Sequence, residues 1–145
     1  MTAPGPPPAK GRPRRARPSD LDEIAGSLPG TELGVSWGDR PTWKVAGKGF
    51  ILRREVRKDA IDPATDQPYD DLIVIMTADA ADKAVLVDDP RLPFFTIEHF
   101  HGFNAVLVQE SRLGELGRDE LAEVITEAWA AKAPKRVVKE FFESQ

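Results

Sequence analysis

Residues 42–53, TWKVAGKGFILR, place two runs of alternating side chains on either side of a glycine-bearing tetrad, and no other stretch restricts the fold as much. Period-two alternation interrupted by glycine is the signature of two antiparallel strands joined by a tight connection. With Ala46 to Gly49 as a four-residue loop, Val45 faces Phe50, Lys44 faces Ile51, Trp43 faces Leu52 and Thr42 faces Arg53. The pleat then gives Trp43, Val45, Phe50 and Leu52 one apolar face suited to packing under helices. Thr42, Lys44, Ile51 and Arg53 share the other, with Lys48 at the tip. One face is predicted to be core and the other basic.

The flanking segments extend this pattern. Leu21, Ile24, Ala25 and Leu28 recur at helical spacing behind Ser19, which is the expected N-cap, and Pro29-Gly30 ends the run. Leu33, Val35 and Trp37 then alternate with Glu32, Gly34 and Ser36, as in a half-buried strand. The loop DAIDPATDQPYDD reads as a long exposed connection, and Leu72 to Met76 is continuously apolar, as an interior strand is. Ala80 to Val87 is predicted to be helical before Asp88-Asp89-Pro90. Phe94 to His99 and Ala105 to Gln109 read as two strands joined around Gly102. Leu121, Val124, Ile125, Ala128 and Trp129 form a helical stripe opposite Glu120, Glu123 and Glu127, and Pro134 opens a last helix.

The 145 residues suit one domain, and the absence of cysteine excludes disulfides and thiolate chemistry. No apolar run is long enough to span a bilayer, so no membrane contact and a cytoplasmic location are expected. The net charge of −4 is uneven. Residues 1–18 hold six of the thirteen prolines and five cations with no acid, and are expected to be a disordered basic arm preceding a folded domain over 19–145. Residues 40–58 carry seven cations against one acid, whereas 59–145 carry eight against eighteen. A polyanion would therefore be attracted locally rather than by the whole molecule.

Motifs that would mark an enzyme fail on context. GVSWG at 34–38 matches a G-x-S-x-G elbow as a bare pattern, but an elbow turns from strand into helix, and Ser36 is followed by a turn and another strand. VAGKG lacks the upstream glycine and the following hydroxyl residue of a phosphate loop. His99 and His101 lack an evident third metal ligand on their side of a strand, and Asp70-Asp71 and Asp88-Asp89 read as solvated loop carboxylates. The chain is expected to be non-enzymatic and to hold no metal or cofactor.

The run PGTELGVSWGDRPTWKVAGKGFILR, then LIVIM, FFTIEHFHGFNAVLV and ELAEVITEAWAAKAPKRVV, together resemble the MmcQ/YjbR family from about Ser19 onward. The resemblance implies an α+β fold similar to CyaY and to secretion chaperones, a two-layer sandwich with an antiparallel sheet backed by helices, and a double-wing DNA-binding motif; the segments above suit that architecture. Combined with the charge pattern, it leads to the expectation of a DNA-binding module. Arg40, Lys44, Lys48, Arg53 and Arg54 on the hairpin, with Arg14 and Arg15 on the arm, would contact phosphates of double-stranded DNA in a weak, salt-sensitive way. The alternative is a protein-interaction module that uses the sheet face or a helix groove to receive a protein partner.

Overall fold

A computed structural model describes residues 14–36 and 39–145. Most of the basic arm, residues 1–13, lies outside the described residues, as does Trp37. Helix α1 (Pro18–Ser27) leads into strands β1 (Thr31–Ser36), β2 (Arg40–Val45) and β3 (Lys48–Arg53). A small hairpin of β4 (Ile61–Asp62) and β5 (Gln67–Pro68) follows. Then come β6 (Leu72–Met76), α2 (Ala80–Val87), β7 (Ala105–Gln109), α3 (Arg118–Lys132) and α4 (Lys135–Glu143). Strands β1, β2, β3, β6 and β7 form one sheet in that order, antiparallel at every step. The fold is the expected α+β arrangement of antiparallel sheet and helices.

Alternation divides the sheet into two apolar layers. Trp43, Val45, Ile51, Ile73, Ile75, Val106 and Val108 point to the side of α1 and α3, where they meet Leu21, Ile24, Leu121, Ile125 and Trp129. The Trp129 indole donates to the Pro29 carbonyl at 3.0 Å, which ties the end of α3 to the turn before β1. On the opposite face Leu52, Leu72, Val74, Ala105 and Leu107 are covered by Phe95, Ile97 and Phe100 from the chain between α2 and β7. That cover reaches β3, and beyond it Thr42 is buried and Lys44 half-buried on the outer face of β2, whereas Leu33 and Val35 of β1, cross-strand from Trp43 and Pro41, stay exposed.

The β2–β3 hairpin departs from the predicted register. Its loop is the two-residue turn Ala46-Gly47, with φ of 52° and 78°, and Val45 pairs with Lys48 rather than with Phe50. Positive φ at both central positions gives a turn whose twist matches that of the flanking strands. Lys44 pairs with Gly49 and Trp43 with Ile51, so Phe50 is an extra, bulged residue. Phe50 and Ile51 both enter the helix-side core, so Ile51 and every position after it lie on the face opposite to the expected one. Leu52 consequently lies on the outer layer, and Arg53 lies on the helix side, each opposite to the expected placement.

Glycine is required at two places here. Gly47 has the positive φ, and a Cβ at Gly49 would stand 2.9 Å from Thr42 Cγ2. Gly47→Ala is expected to lower stability by about 1 kcal/mol and Gly49→Ala by roughly 1–2 kcal/mol. Urea melts with an unchanged m-value would check both.

Two further expectations need correction. Helix α1 starts at Pro18 with Arg17 as its N-cap residue, not Ser19, and the chain is already fixed from Arg14. Ala16 is buried and its N–H donates to Leu116 O at 2.9 Å, while Arg15 bridges to Gly117. Residues 14–18 therefore belong to the folded body rather than to the arm. The stretch from Phe94 to His99 is not a strand: Phe95 alone exchanges backbone hydrogen bonds with Leu107, and a 3-10 turn occupies Glu98–Phe100. Phe100 there is buried over the outer layer, which strand geometry followed by a tight turn would not permit. The connection before β6 holds the small β4–β5 hairpin, whereas β6, α2, β7 and the closing helices follow the predicted order.

Candidate functional site

The seven cations expected to contact phosphate fall into three situations. Arg53, carried to the helix side by the bulge, donates to both carboxylate oxygens of Asp22 at 3.1 Å and to Glu110 at 3.1 Å. Arg54 is buried, with its side chain 1% exposed, and donates to Asp59 at 2.8 and 2.7 Å while lying 5.3 Å from the centre of the Phe100 ring. Arg14 makes two hydrogen bonds to Asp20 at 3.0 and 2.8 Å. These three arginines are neutralised by the chain's own carboxylates.

Arg40 and Arg15 are spent on backbone acceptors. Arg40 donates to the carbonyls of Arg53 and Arg54, and Arg15 to that of Gly114. Of the seven, Lys44 and Lys48 have no acceptor among the described residues. Lys48 is exposed beside the hairpin turn, and the Lys44 stem runs across Gly34 on the outer sheet face. The structure does not bring the seven into one surface, because bidentate arginine–carboxylate geometry fixes three of them elsewhere.

The carboxylates respond to this pairing. Asp20 is buried at 4% exposure, and its carboxyl is held well below the usual range, chiefly by the Arg14 hydrogen bonds and against the cost of burial. The Arg17 N–H and Arg118 contribute in the same direction. Asp59 is also lowered, first by the hydrogen bonds from Arg54.

Ser36 ends β1, and its hydroxyl lies 2.6 Å from that of Thr42 across the β1–β2 pair. Because β2 begins at Arg40, the strand–turn–strand reading of GVSWG holds and Ser36 does not sit on an elbow. His99 lies in the 3-10 turn with Nδ1 3.9 Å from Asp59, and His101 follows it, so the two imidazoles do not share a strand.

The described surface holds two depressions of similar size, on different elements. A groove of about 280 Å³ runs between α2 and α3 at the end of β6. Met76, Leu86 and Val124 supply its apolar lining, Val85 stands 70% exposed at its lip, and Asp82, Glu123 and Glu127 edge it. A cleft of about 280 Å³ lies on the opposite side of the sheet, between the hairpin and the Phe100–Phe103 turn.

These residues fall within the segment matched by a known family. A family model described as YjbR matches residues 26–131. The chain belongs to the YjbR family. Two relatives of this YjbR chain are the uncharacterized protein Rv2570 of Mycobacterium tuberculosis strain H37Rv and the uncharacterized protein Mb2600 of Mycobacterium bovis. Each is 34% identical over 126 residues, covering 84% of this chain and 92% of the relative. No solved structure gives a significant match.

Sequence reasoning about this YjbR domain named a helix groove as an alternative but did not place it. Glu123 and Glu127 were legible as an i, i+4 pair on the polar face of α3, and Asp82 as an acid in the first turn of α2. Their convergence depends on how the two helices pack, for which the sequence holds no direct signal. Phe103, 55% exposed at the mouth of the cleft, was hidden in what read as a turn.

Proposed function

We propose that this YjbR-family chain is a protein-interaction module that receives a cationic amphipathic segment of a partner in the α2–α3 groove. The observation that carries this reading is the combination of an apolar floor with Asp82, Glu123 and Glu127, none of which has an ion-pair partner among the described residues. A helix with apolar residues three and four apart would cover Val85, Leu86 and Val124. Lysines or arginines on its flanks would meet the rim carboxylates. Burial of the exposed valine and its neighbours supplies affinity at about 25 cal/mol per Å² of apolar surface. The carboxylates supply sign selectivity and would repel a polyanion from this face. The nearby cations do not cancel that field: Lys83 turns away to the carbonyls of Phe100 and Phe103, and Arg91 is held by Asp89.

The test is a fluorescence anisotropy titration of the full chain with a labelled Leu/Lys amphipathic helix, a Leu/Glu helix of the same pattern, and duplex DNA. The Leu/Lys helix is expected to bind, and Glu123→Lys with Glu127→Lys to weaken it at least about tenfold, equivalent to about 1.4 kcal/mol. Glu143→Lys, an exposed change on α4 away from the groove, is expected to leave binding within about twofold. Equal binding by the groove and α4 variants would refute the reading. Tighter binding of duplex DNA, abolished by Lys44→Glu with Lys48→Glu, would establish the nucleic-acid alternative in its place.

A further inference from the structure

The cleft on the other side of the sheet has a different chemistry, and its argument does not rest on the groove. Its floor is Leu52, Val74 and Met76, and Phe100 and Phe103 form one wall. The facing end is polar and built from small residues, Ser36, Thr42 and Gly49, with the Lys44 side chain above them. This end is shallow for a reason internal to the hairpin. Gly49 must lack a Cβ because Thr42 Cγ2 occupies that place, so β3 offers no side chain opposite Lys44 on the outer face. The bulge at Phe50 then brings Leu52 onto the same face, which sets an apolar floor directly beside the bare polar end.

Polar groups in the cleft divide unequally. The Thr42 hydroxyl donates to the Arg40 carbonyl at 3.1 Å and lies 2.6 Å from the Ser36 hydroxyl, so these two satisfy each other and the backbone. Lys44 is different. Glu32 is its cross-strand neighbour, yet Lys44 leans across Gly34 instead, and no carboxylate pairs with it among the described residues. The cleft therefore presents one unneutralised cation at one end and aromatic and aliphatic surface at the other.

We infer that this cleft is a binding site for a small amphipathic carboxylate, with its anionic group at Lys44 and its apolar body between Phe103 and the Leu52–Val74 floor. Charge complementarity selects the anion, and the volume of about 280 Å³ restricts the body to roughly one or two fused rings or a short acyl chain. A monoanion suits the site better than a polyanion because Lys44 is the one cation in its lining, and Arg54, which lies against Phe100, is already matched by Asp59.

The probes are anilinonaphthalene sulfonate, an aromatic monoanion that brightens in apolar surroundings, and N-phenylnaphthylamine, which has the same rings without the charge. Titrated against the full chain, the sulfonate is expected to fill one saturable site and to be displaced by naphthalene carboxylate. Lys44→Glu is expected to weaken the sulfonate at least about tenfold while changing the neutral probe by less than about twofold. Phe103→Ala is expected to weaken both, because it removes an exposed wall common to them. Both are surface changes, and a retained near-UV circular dichroism spectrum verifies that the variants remain packed rather than molten. Sulfonate binding insensitive to both substitutions, no displacement by the carboxylate, or no saturable binding at all would overturn the assignment.

Discussion

Replacing Asp59 with alanine is expected to destabilise the fold by about 3–5 kcal/mol, more than removal of its arginine partner. The asymmetry follows from where the two charges sit. The Arg54 side chain is 1% exposed and the Asp59 side chain 35% exposed. Without Asp59 the guanidinium stays buried under Phe100 with no counter-charge, and its Nε already lacks a hydrogen-bond partner. Without Arg54 the carboxylate can turn into water. Arg54→Met, which keeps much of the packed stem, is therefore expected to cost only about 1–2 kcal/mol. The double variant is expected to be more stable than Asp59→Ala alone, since it removes the stranded charge. Chemical denaturation of the three proteins measures this directly, and thermal midpoints should fall by about 10–15 °C for Asp59→Ala. A double variant less stable than Asp59→Ala would contradict the desolvation account.

Asp20→Ala is the second large expected loss, at about 2–4 kcal/mol, from the sum of a lost helix cap and lost charge-assisted hydrogen bonds. Asp20 accepts from the Arg17 N–H at 2.8 Å, from Arg14 twice and from Arg118 at 3.2 Å. One carboxylate thus caps α1, anchors the entering chain and ties it to the first turn of α3. Because its folded-state pKa is lowered, its contribution is complete above the ordinary carboxylate value near 3.9 and disappears as pH falls through the depressed folded value. Asp20→Asn is expected to flatten the acid side of the stability profile below about pH 4 while retaining the cap acceptor. Urea midpoints measured across that range test it, and a profile as steep as that of the parent chain would assign the acid sensitivity to other groups.

The charge pattern was readable from composition, but its meaning was not. Arg40, Lys44, Lys48, Arg53 and Arg54, with Arg14 and Arg15, looked like a surface for phosphate, because a linear sequence shows the sign of each group and not its neighbour. In the folded chain Asp22, fifty-seven-apart Glu110 and nearby Asp59 take up Arg53 and Arg54. The acidic excess that seemed a separate property of the body is in part the set of partners for the basic hairpin. Among the described groups without an ion-pair partner are the carboxylates around the apolar groove, Lys48 at the hairpin turn and Lys44 at the cleft.

Local pattern by itself marked the alternating strands at 32–37 and 42–45, the continuously apolar strand at 72–76, the helix at 80–87 and the helical stripe from Leu121 to Trp129, since each segment carries these signals alone. Tertiary structure decided the face of each residue beyond Phe50, the entry of residues 14–18 into the body, and the 3-10 turn at 98–100. The physical reason is common to all three. A bulge, a docked terminus and an irregular turn are chosen by which distant surface they cover, here Phe50 and Ile51 together filling the space under α3, and that competition is settled only when the layers meet.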